Sequence, residues 1–176
     1  MSAESPTTPK VGQAAPAVVL PDETGAVHDL AEQRGRWTVL YFYPKDDTPG
    51  CNTEASQFRD LNTDYAATDA DVWGVSKDSA ASHQRFREKF DLPFTLLSDP
   101  EHDVIERYGA WGEKTFLGKT SIGIRRSTFL IDPDGRIARA WPKVKADGHA
   151  AEVLKALGEE RAARAAAAPS ASNAAG

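Results

Sequence analysis

Continuous apolar runs alternate with segments of helical periodicity along the middle of the chain. Trp37–Tyr43 is a β-branched and aromatic run, typical of a central strand buried on both faces, and it ends at Pro44. In the segment that follows, Thr48 is suited to cap a helix and Pro49 to occupy its first position. Apolar residues then recur at helical spacing from Cys51: Ala55, Phe58, Leu61 and Tyr65. The pattern predicts a buried strand followed directly by an amphipathic helix.

The same alternation continues toward the C-terminus. Further strands are predicted over residues 71–75, 94–97, 127–131 and 136–141. Further helices are predicted over residues 78–90, from a cap at Asp99 to about 108, and from about 148. The last two strands flank Asp132–Gly135, whose glycine suits a hairpin turn. This order predicts an α/β fold with a mixed β-sheet flanked by α-helices, in which the hairpin supplies the antiparallel part.

The composition changes at both ends of the chain. Residues 1–10 are rich in Ser, Thr and Pro, which predicts a flexible N-terminal tail. Residues 159–176 are rich in Ala and contain Pro169, which predicts the end of a helix followed by a disordered segment. We therefore expect one folded domain over residues 11–158.

The overall composition excludes several classes of protein. The 176 residues are 40% hydrophobic and 27% charged, which is ordinary for a globular domain. No apolar run approaches the roughly 20 residues that cross a bilayer, and the N-terminus has no apolar signal stretch. We therefore expect no membrane association, and the single cysteine indicates a reducing compartment, by default the cytoplasm. The net charge of −5 argues against a nucleic-acid partner.

Cys51 is the only cysteine of the chain. A single cysteine excludes an intramolecular disulfide, a dithiol oxidoreductase and a multi-thiolate metal site. The four histidines are scattered along the sequence and are interpreted as surface residues. No cluster of Cys, His and Asp has the spacing of metal ligands, so we expect neither a metal nor a cofactor.

Two interpretations of Cys51 remain open at this point. A lone cysteine often serves as a small buried hydrophobic residue. However, its predicted place in the first turn of a helix favours a thiolate, because free N–H groups and the helix dipole stabilise an anion there. Pro44, Pro49 and Gly50 also suit a rigid loop whose backbone approaches a small substrate closely. Such a thiolate is suited to attack an electrophilic oxygen or sulfur.

The segment Tyr41–Ala55 resembles the active-site segment of peroxiredoxins, and in particular of the bacterioferritin comigratory protein (PrxQ) subfamily. The family motif Pro-x-x-x-Thr-x-x-Cys falls on Pro44, Thr48 and Cys51. Later segments resemble the same subfamily in the same order: Phe94–Asp99, Tyr108–Lys114 and Gly123–Asp132. The resemblance covers about residues 11–157. It implies a thioredoxin-like fold and a thiol peroxidase.

The resemblance also implies roles for four residues. Cys51 would attack the peroxide O–O bond and become a sulfenic acid. Thr48 would hydrogen-bond the peroxide and the thiolate, and Pro44 would shield the sulfur from water. Arg126 would favour the thiolate and stabilise the departing oxyanion. The family spacing selects Arg126 over its neighbour Arg125, and alternation along a strand lets only one of them point at the site.

Three nearby residues have structural alternatives. Thr48 is also suited to be a helix cap, and Pro44 to end the preceding strand. Glu54 is compatible with binding the active-site arginine and equally with being a solvated acid in the first helical turn.

Ser56 is a departure from the subfamily. Many members carry a resolving cysteine five residues after the first one, and that position is Ser56 here. Either the protein works naturally with one cysteine, or Ser56 is an engineered replacement of a resolving cysteine. We favour the first explanation, because Gln57 and the Ala-rich tail show no sign of design.

The expected activity is that of a peroxidase with one cysteine. Its substrates would be hydrogen peroxide or organic hydroperoxides, and its reductant thioredoxin, glutaredoxin or a low-molecular-weight thiol. The resemblance also implies a monomer. Two other functions stay open: a redox sensor or relay that passes oxidation to a partner protein, and a non-catalytic binding protein in which Cys51 is inert.

Overall fold

Strand β3 (Trp37–Phe42) lies at the centre of the fold, and all six of its residues are buried. Its side chains alternate between two apolar layers, as the pleat of a strand requires. Val39 and Tyr41 contribute to one layer, and Leu40 and Phe42 to the other. The prediction of a central strand buried on both faces is confirmed.

The structure is a computed structural model that describes residues 8–167, apart from the side chain of Phe116. The predicted tails therefore lie partly outside the described residues, namely at 1–7 and 168–176. Residues 159–167 of the Ala-rich segment continue the last helix.

Five strands form the central sheet. Besides β3 they are β4 (Ala70–Ser76), β5 (Thr95–Ser98), β8 (Ser127–Ile131) and β9 (Ile137–Trp141). Their order across the sheet is β5-β4-β3-β8-β9. The β3-β4 and β4-β5 pairs are parallel, whereas β3-β8 and β8-β9 are antiparallel. The predicted α/β fold with a mixed sheet is confirmed, and the predicted hairpin is its antiparallel edge.

Five α-helices accompany the sheet in the described part of the chain. They are α1 (Pro49–Asp60), α2 (Asn62–Ala67), α3 (Ala80–Phe90), α4 (Asp103–Arg107) and α5 (His149–Ala167). Helices α1, α3 and α5 bury Phe58, Phe86 and Leu157 in one apolar layer, and α4 buries Ile105 in the other. Among these helices, none combines the length and apolar character that a membrane crossing requires.

Helix α4 begins later than the sequence predicts. The expected cap was Asp99, but the helix starts at Asp103, after His102 in a left-handed conformation with φ of 51°. That conformation interrupts a helical backbone, so the helix cannot start earlier. The Asp99 carboxylate instead accepts a hydrogen bond from the backbone N–H of Ile105 over 2.9 Å.

Two short hairpins were not predicted. The first joins β1 (Val19–Pro21) to β2 (Val27–Asp29), and the second joins β6 (Trp111–Phe116) to β7 (Lys119–Ile124). Strand β7 is mostly exposed, so it lacks the alternation of apolar and polar residues that marks a strand with one buried face. The second hairpin ends directly before Arg125 and Arg126, and Arg126 reaches Cys51 and Glu54 on α1.

Candidate active site

Cys51 lies in the first turn of α1, where the sequence placed it. Strand β3 and the loop after it deliver the chain to Thr48, whose extended backbone precedes the first helical residue, Pro49. Cys51 as a whole is 2% exposed and belongs to the apolar layer between the sheet and α1. The free N–H groups of this first turn favour an anion at the sulfur.

Arg126 brings a positive charge into contact with the sulfur of Cys51. Its Nη2 atom donates to Cys51 Sγ over 3.4 Å, and its Nη1 atom donates to Glu54 Oε1 over 2.6 Å. The Arg126 side chain is only 16% exposed, so solvent screens this charge little. The structure therefore brings together Cys51 and Arg126, two of the four residues predicted for the site.

Glu54 binds the arginine, which decides between the two alternatives left open for it. Its side chain is 0% exposed, so it is not a solvated acid. Desolvation raises the pKa of Glu54 to about 7, and the ion pair with Arg126 opposes this only in part. Its Oε2 atom has no hydrogen-bond partner within residues 8–167. This oxygen is free to carry the proton while Oε1 still accepts from Arg126.

Replacing Glu54 with Gln should make the protein more stable above neutral pH. Because the pKa of Glu54 rises from 4.5 to about 7 on folding, folding takes up a proton between these values, and stability falls as the pH rises through them. Gln resembles the protonated acid and does not titrate. At pH 8 we expect the variant to exceed the wild type by about 3 kcal/mol in unfolding free energy, and at pH 4.5 to match it.

Urea unfolding at several pH values measures this difference. Glu101→Gln, which removes an exposed acid, is the matched control and should show no such divergence. A Glu54→Gln variant less stable than the wild type at pH 8 would mean that the carboxylate stabilises the fold.

The two adjacent arginines point to different places. Arg125 and Arg126 form the link between β7 and β8 rather than part of a strand. Arg125 donates to the backbone oxygens of Gly109, over 2.9 Å, and Glu113, over 3.2 Å. It is thus held against the β6-β7 hairpin, and only Arg126 reaches Cys51.

Thr48 and Pro44 lie in the loop that leads from β3 to Cys51. The Thr48 hydroxyl donates to the backbone oxygen of Lys45 over 2.8 Å and makes no capping bond to the helix. Because its proton is used in this way, its lone pairs remain for a donor such as a peroxide O–H. Pro44 is half-buried and lines a cavity together with Arg126.

This cavity has a volume of about 600 Å³. It lies between the loop that joins β3 to α1 (residues 43–48, the active-site loop), the β6-β7 hairpin and the segment after β9. Its walls include apolar groups from Ile124, Pro142 and Val144. They also include the cations Lys114, Arg125, Arg126 and Lys143. The arrangement offers room for an organic group beside the residues that surround Cys51.

The guanidinium of Arg126 lies so close to the backbone of Gly50 that a larger residue would displace it. A Cβ atom at Gly50 would lie 2.9 Å from Arg126 Nη2, which is closer than such atoms approach. The guanidinium is the flexible end of its side chain and is free to yield, but it would then leave Cys51 and Glu54. The residue therefore matters for the site more than for folding.

We expect Gly50→Ala to slow the reaction of Cys51 with hydrogen peroxide about tenfold, because misplacing a charged group by a fraction of an ångström weakens catalysis. Stopped-flow oxidation of the reduced protein measures this rate. Gly158→Ala on α5, where a Cβ meets nothing within 4 Å, is the control. It should leave the rate unchanged and stabilise the helix by about 0.5–1 kcal/mol. A wild-type rate in Gly50→Ala would show that the position of Arg126 is unimportant.

The interpretation of all four histidines as surface residues was wrong for two of them. His83 and His149 are buried, because each finds partners in the interior. His149 Nε2 lies 2.8 Å from Thr128 Oγ1 on β8, and desolvation lowers the pKa of His149. Helical spacing did hold a signal for both: His83 lies three residues before the buried Phe86, and His149 lies four and eight residues before the buried Val153 and Leu157.

His83 on α3 anchors the active-site loop through Asp46. Its Nδ1 atom lies 2.7 Å from Asp46 Oδ2, and its Nε2 atom lies 3.0 Å from the backbone oxygen of Leu97. Both nitrogens face acceptors, an arrangement that favours the protonated ring, which donates to each. Burial lowers the pKa of His83, but the hydrogen bond and charge of Asp46 outweigh it and raise the pKa above its ordinary value. The Tyr43 hydroxyl also donates to Asp46, over 2.6 Å.

One group of side chains has the composition and spacing of a metal site. The possible ligand atoms of Asp46, Asp78 and His83 lie within 4.8 Å of one another, a grouping that the sequence did not reveal. These atoms already bond within the protein, since Asp78 Oδ2 accepts from the Ser76 hydroxyl, over 2.6 Å, and from the Asp46 N–H, over 2.8 Å. We interpret the group as an ion-paired network that fixes the loop.

Comparison with known proteins gives a consistent result. The AhpC/TSA family model matches residues 11–140. The putative peroxiredoxin bcp of Coxiella burnetii is 50% identical over 84% of this chain and 98% of its own length. The peroxiredoxin Bcp of Bacillus subtilis is 48% identical over 85% of this chain and 96% of its own. The structure of the Xanthomonas campestris bacterioferritin comigratory protein, solved for insight into its alkyl peroxide reduction activity, superimposes with a TM-score of 0.79 at 39% identity, covering 86% of this chain and 99% of that one.

Proposed function

Since the chain belongs to the AhpC/TSA family, among the Bcp/PrxQ peroxiredoxins, it is a thiol peroxidase, and we propose that it works through a sulfenic acid on Cys51. The contact between Arg126 and the Cys51 sulfur carries this proposal. A largely buried cation and a helix N-terminus meet at one thiol, which is the environment that a nucleophilic thiolate needs.

In the first step the Cys51 thiolate attacks one peroxide oxygen. The O–O bond breaks, the sulfur becomes a sulfenic acid, and the other oxygen leaves as water or an alcohol after taking up a proton. Arg126 stabilises the negative charge that develops on the departing oxygen. Thr48 accepts a hydrogen bond from the peroxide O–H, and Pro44 shields the sulfur from water.

In the second step an external thiol reduces the sulfenic acid. A thiolate attacks the Cys51 sulfur, water leaves, and a mixed disulfide forms, which a second thiol reduces to restore Cys51. Ser56 cannot take part, because a hydroxyl forms no disulfide. A redox relay would use the same chemistry with a protein thiol as the attacking group.

The proposed substrates are hydrogen peroxide and organic hydroperoxides. The X. campestris relative supports the second class through its alkyl peroxide reduction activity. The cavity beside Pro44 and Arg126 supports it as well, since its apolar walls suit an alkyl group. We further propose a monomer in a reducing cytoplasm, with a folded domain that begins near residue 11.

Peroxide consumption coupled to thiol oxidation tests this function. With hydrogen peroxide or cumene hydroperoxide and an excess of dithiothreitol, we expect one thiol pair oxidised for each peroxide, at a rate proportional to the concentration of the protein. Consumption no faster than with dithiothreitol alone would contradict the proposal.

A further inference from the structure

The site needs a second reactant that the chain does not provide. Cys51 is the only cysteine, so under the proposed function every turnover brings an outside thiol to the oxidised sulfur. Hydrogen peroxide is small and neutral, and an alkyl hydroperoxide would use the apolar part of this cavity of about 600 Å³, so neither peroxide accounts for Lys114, Arg125 and Lys143 in its wall. The chemistry of the cavity walls therefore bears on the identity of that thiol.

Three cations in the cavity wall have no carboxylate partner within residues 8–167. Lys114 Nζ donates to the backbone oxygen of Ile124 over 2.9 Å, and Arg125 donates only to backbone oxygens. Lys143 is exposed and makes no ion pair among the described residues. Glu113 is the one acidic residue of the wall, and its side chain is exposed.

This concentration of positive charge does not reflect the chain as a whole, whose net charge is −5. The grouping of these cations is also electrostatically unfavourable, because Lys114 is half-buried near Arg126. Desolvation, with the repulsion of Arg126, lowers the pKa of Lys114. An anion in the cavity would relieve that repulsion, so the cavity wall is complementary to a negatively charged molecule.

We propose that this cavity binds a low-molecular-weight thiol that carries carboxylates, and that Lys114, Arg125 and Lys143 hold those carboxylates while the thiol reduces Cys51. The inference rests on the proposed function and specifies its reductant. The bound thiolate forms a bond to the Cys51 sulfur as the S–O bond of the sulfenic acid breaks. The hydroxide takes up a proton and leaves as water. A second molecule of the thiol then attacks the mixed disulfide, which yields the thiol's own disulfide and the Cys51 thiolate.

The test compares two thiols that differ mainly in charge. Glutathione carries two carboxylates, and its diethyl ester carries none. Cys51 is first oxidised with one equivalent of hydrogen peroxide, and the reduction of the sulfenic acid by each thiol is followed by quenching and intact mass. We expect glutathione to react about fivefold to tenfold faster than the ester at low salt, as two or three exposed charge pairs would give. This ratio should fall toward one in high salt.

A Lys114→Gln/Lys143→Gln variant should lower this ratio to below about twofold. Lys145→Gln removes a neighbouring exposed charge that does not line the cavity, and it should keep the wild-type ratio. Because the ratio is formed within each variant, a general loss of reactivity does not affect it. Equal rates for the two thiols in the wild type would overturn the inference.

Two further outcomes separate the inference from the proposed function. If hydrogen peroxide does not oxidise Cys51 at all, the proposed function fails before the thiol is tested. If oxidation by a carboxylate-bearing hydroperoxide is faster than by its ester, while the two thiols react equally, the cations of the cavity bind the peroxide rather than the thiol and the inference is wrong.

Discussion

Arg126→Gln is expected to slow the oxidation of Cys51 by hydrogen peroxide by about 10²–10³-fold. The guanidinium contacts Cys51 Sγ and is held by Glu54, so it is aligned before the reaction starts. Removing one aligned donor from a developing oxyanion typically costs this much. Gln keeps a donor group but loses both the charge and the reach to the sulfur. Stopped-flow oxidation of the reduced variant, with peroxide in excess, gives the rate.

Two further variants separate this effect from a loss of structure. Arg126→Gln leaves the buried Glu54 without its cation, and Arg126→Gln/Glu54→Gln removes that carboxyl as well. We expect the double variant to be folded and equally slow. Arg136→Gln removes an exposed arginine at the far hairpin and should react like the wild type. A double variant with the wild-type rate would contradict the role proposed for Arg126.

His83→Ala is expected to lower the unfolding free energy by about 3–5 kcal/mol. The change leaves the Asp46 carboxylate buried without its cation, and removing one member of a buried pair carries this cost. His28→Ala is the control, because the His28–Asp22 pair is partly exposed and should cost less than about 1 kcal/mol. Urea unfolding near pH 6 measures both. Similar losses of unfolding free energy in the two variants would mean that the buried pair stabilises the fold no more than the partly exposed pair does.

The stabilising effect of His83 should depend on pH with a defined sign. Because its pKa is raised above 6.5 on folding, its contribution is fully present below that value and is lost as the pH rises through the native pKa. The charged groups that face it are Asp46 and Asp78, and Tyr43 lies beside it. The difference between the wild type and His83→Ala should therefore shrink at alkaline pH.

The backbone of the site was accessible from the sequence because its signals are local. The β-branched and aromatic composition of the run over 37–43, with the proline after it, favours a buried strand, and Thr48 and Pro49 mark the start of a helix within one residue. Proline, glycine and capping preferences act over a few residues, so a single sequence carries them. The place of Cys51 in the first turn follows from these signals.

The partners of these residues are set by contacts across the chain, which local patterns do not contain. Glu54 and Arg126 are 72 positions apart, and Asp46 and His83 are 37 apart. Glu54 lies three residues after Cys51, on the buried face of the helix, but its cation depends on where the β7-β8 link lies, and the sequence does not give that. Strand β7 was missed for a related reason, since its exposed residues leave no periodic pattern.

The central claim is that Cys51 is an activated nucleophile, and intact mass tests it most directly. The reduced protein is mixed with one equivalent of hydrogen peroxide for a few seconds, beside a Cys51→Ser control. The account predicts a gain of one oxygen that a sulfenic-acid reagent traps, absent from the control. A thiol that is still unmodified after minutes, in a folded protein, would contradict it.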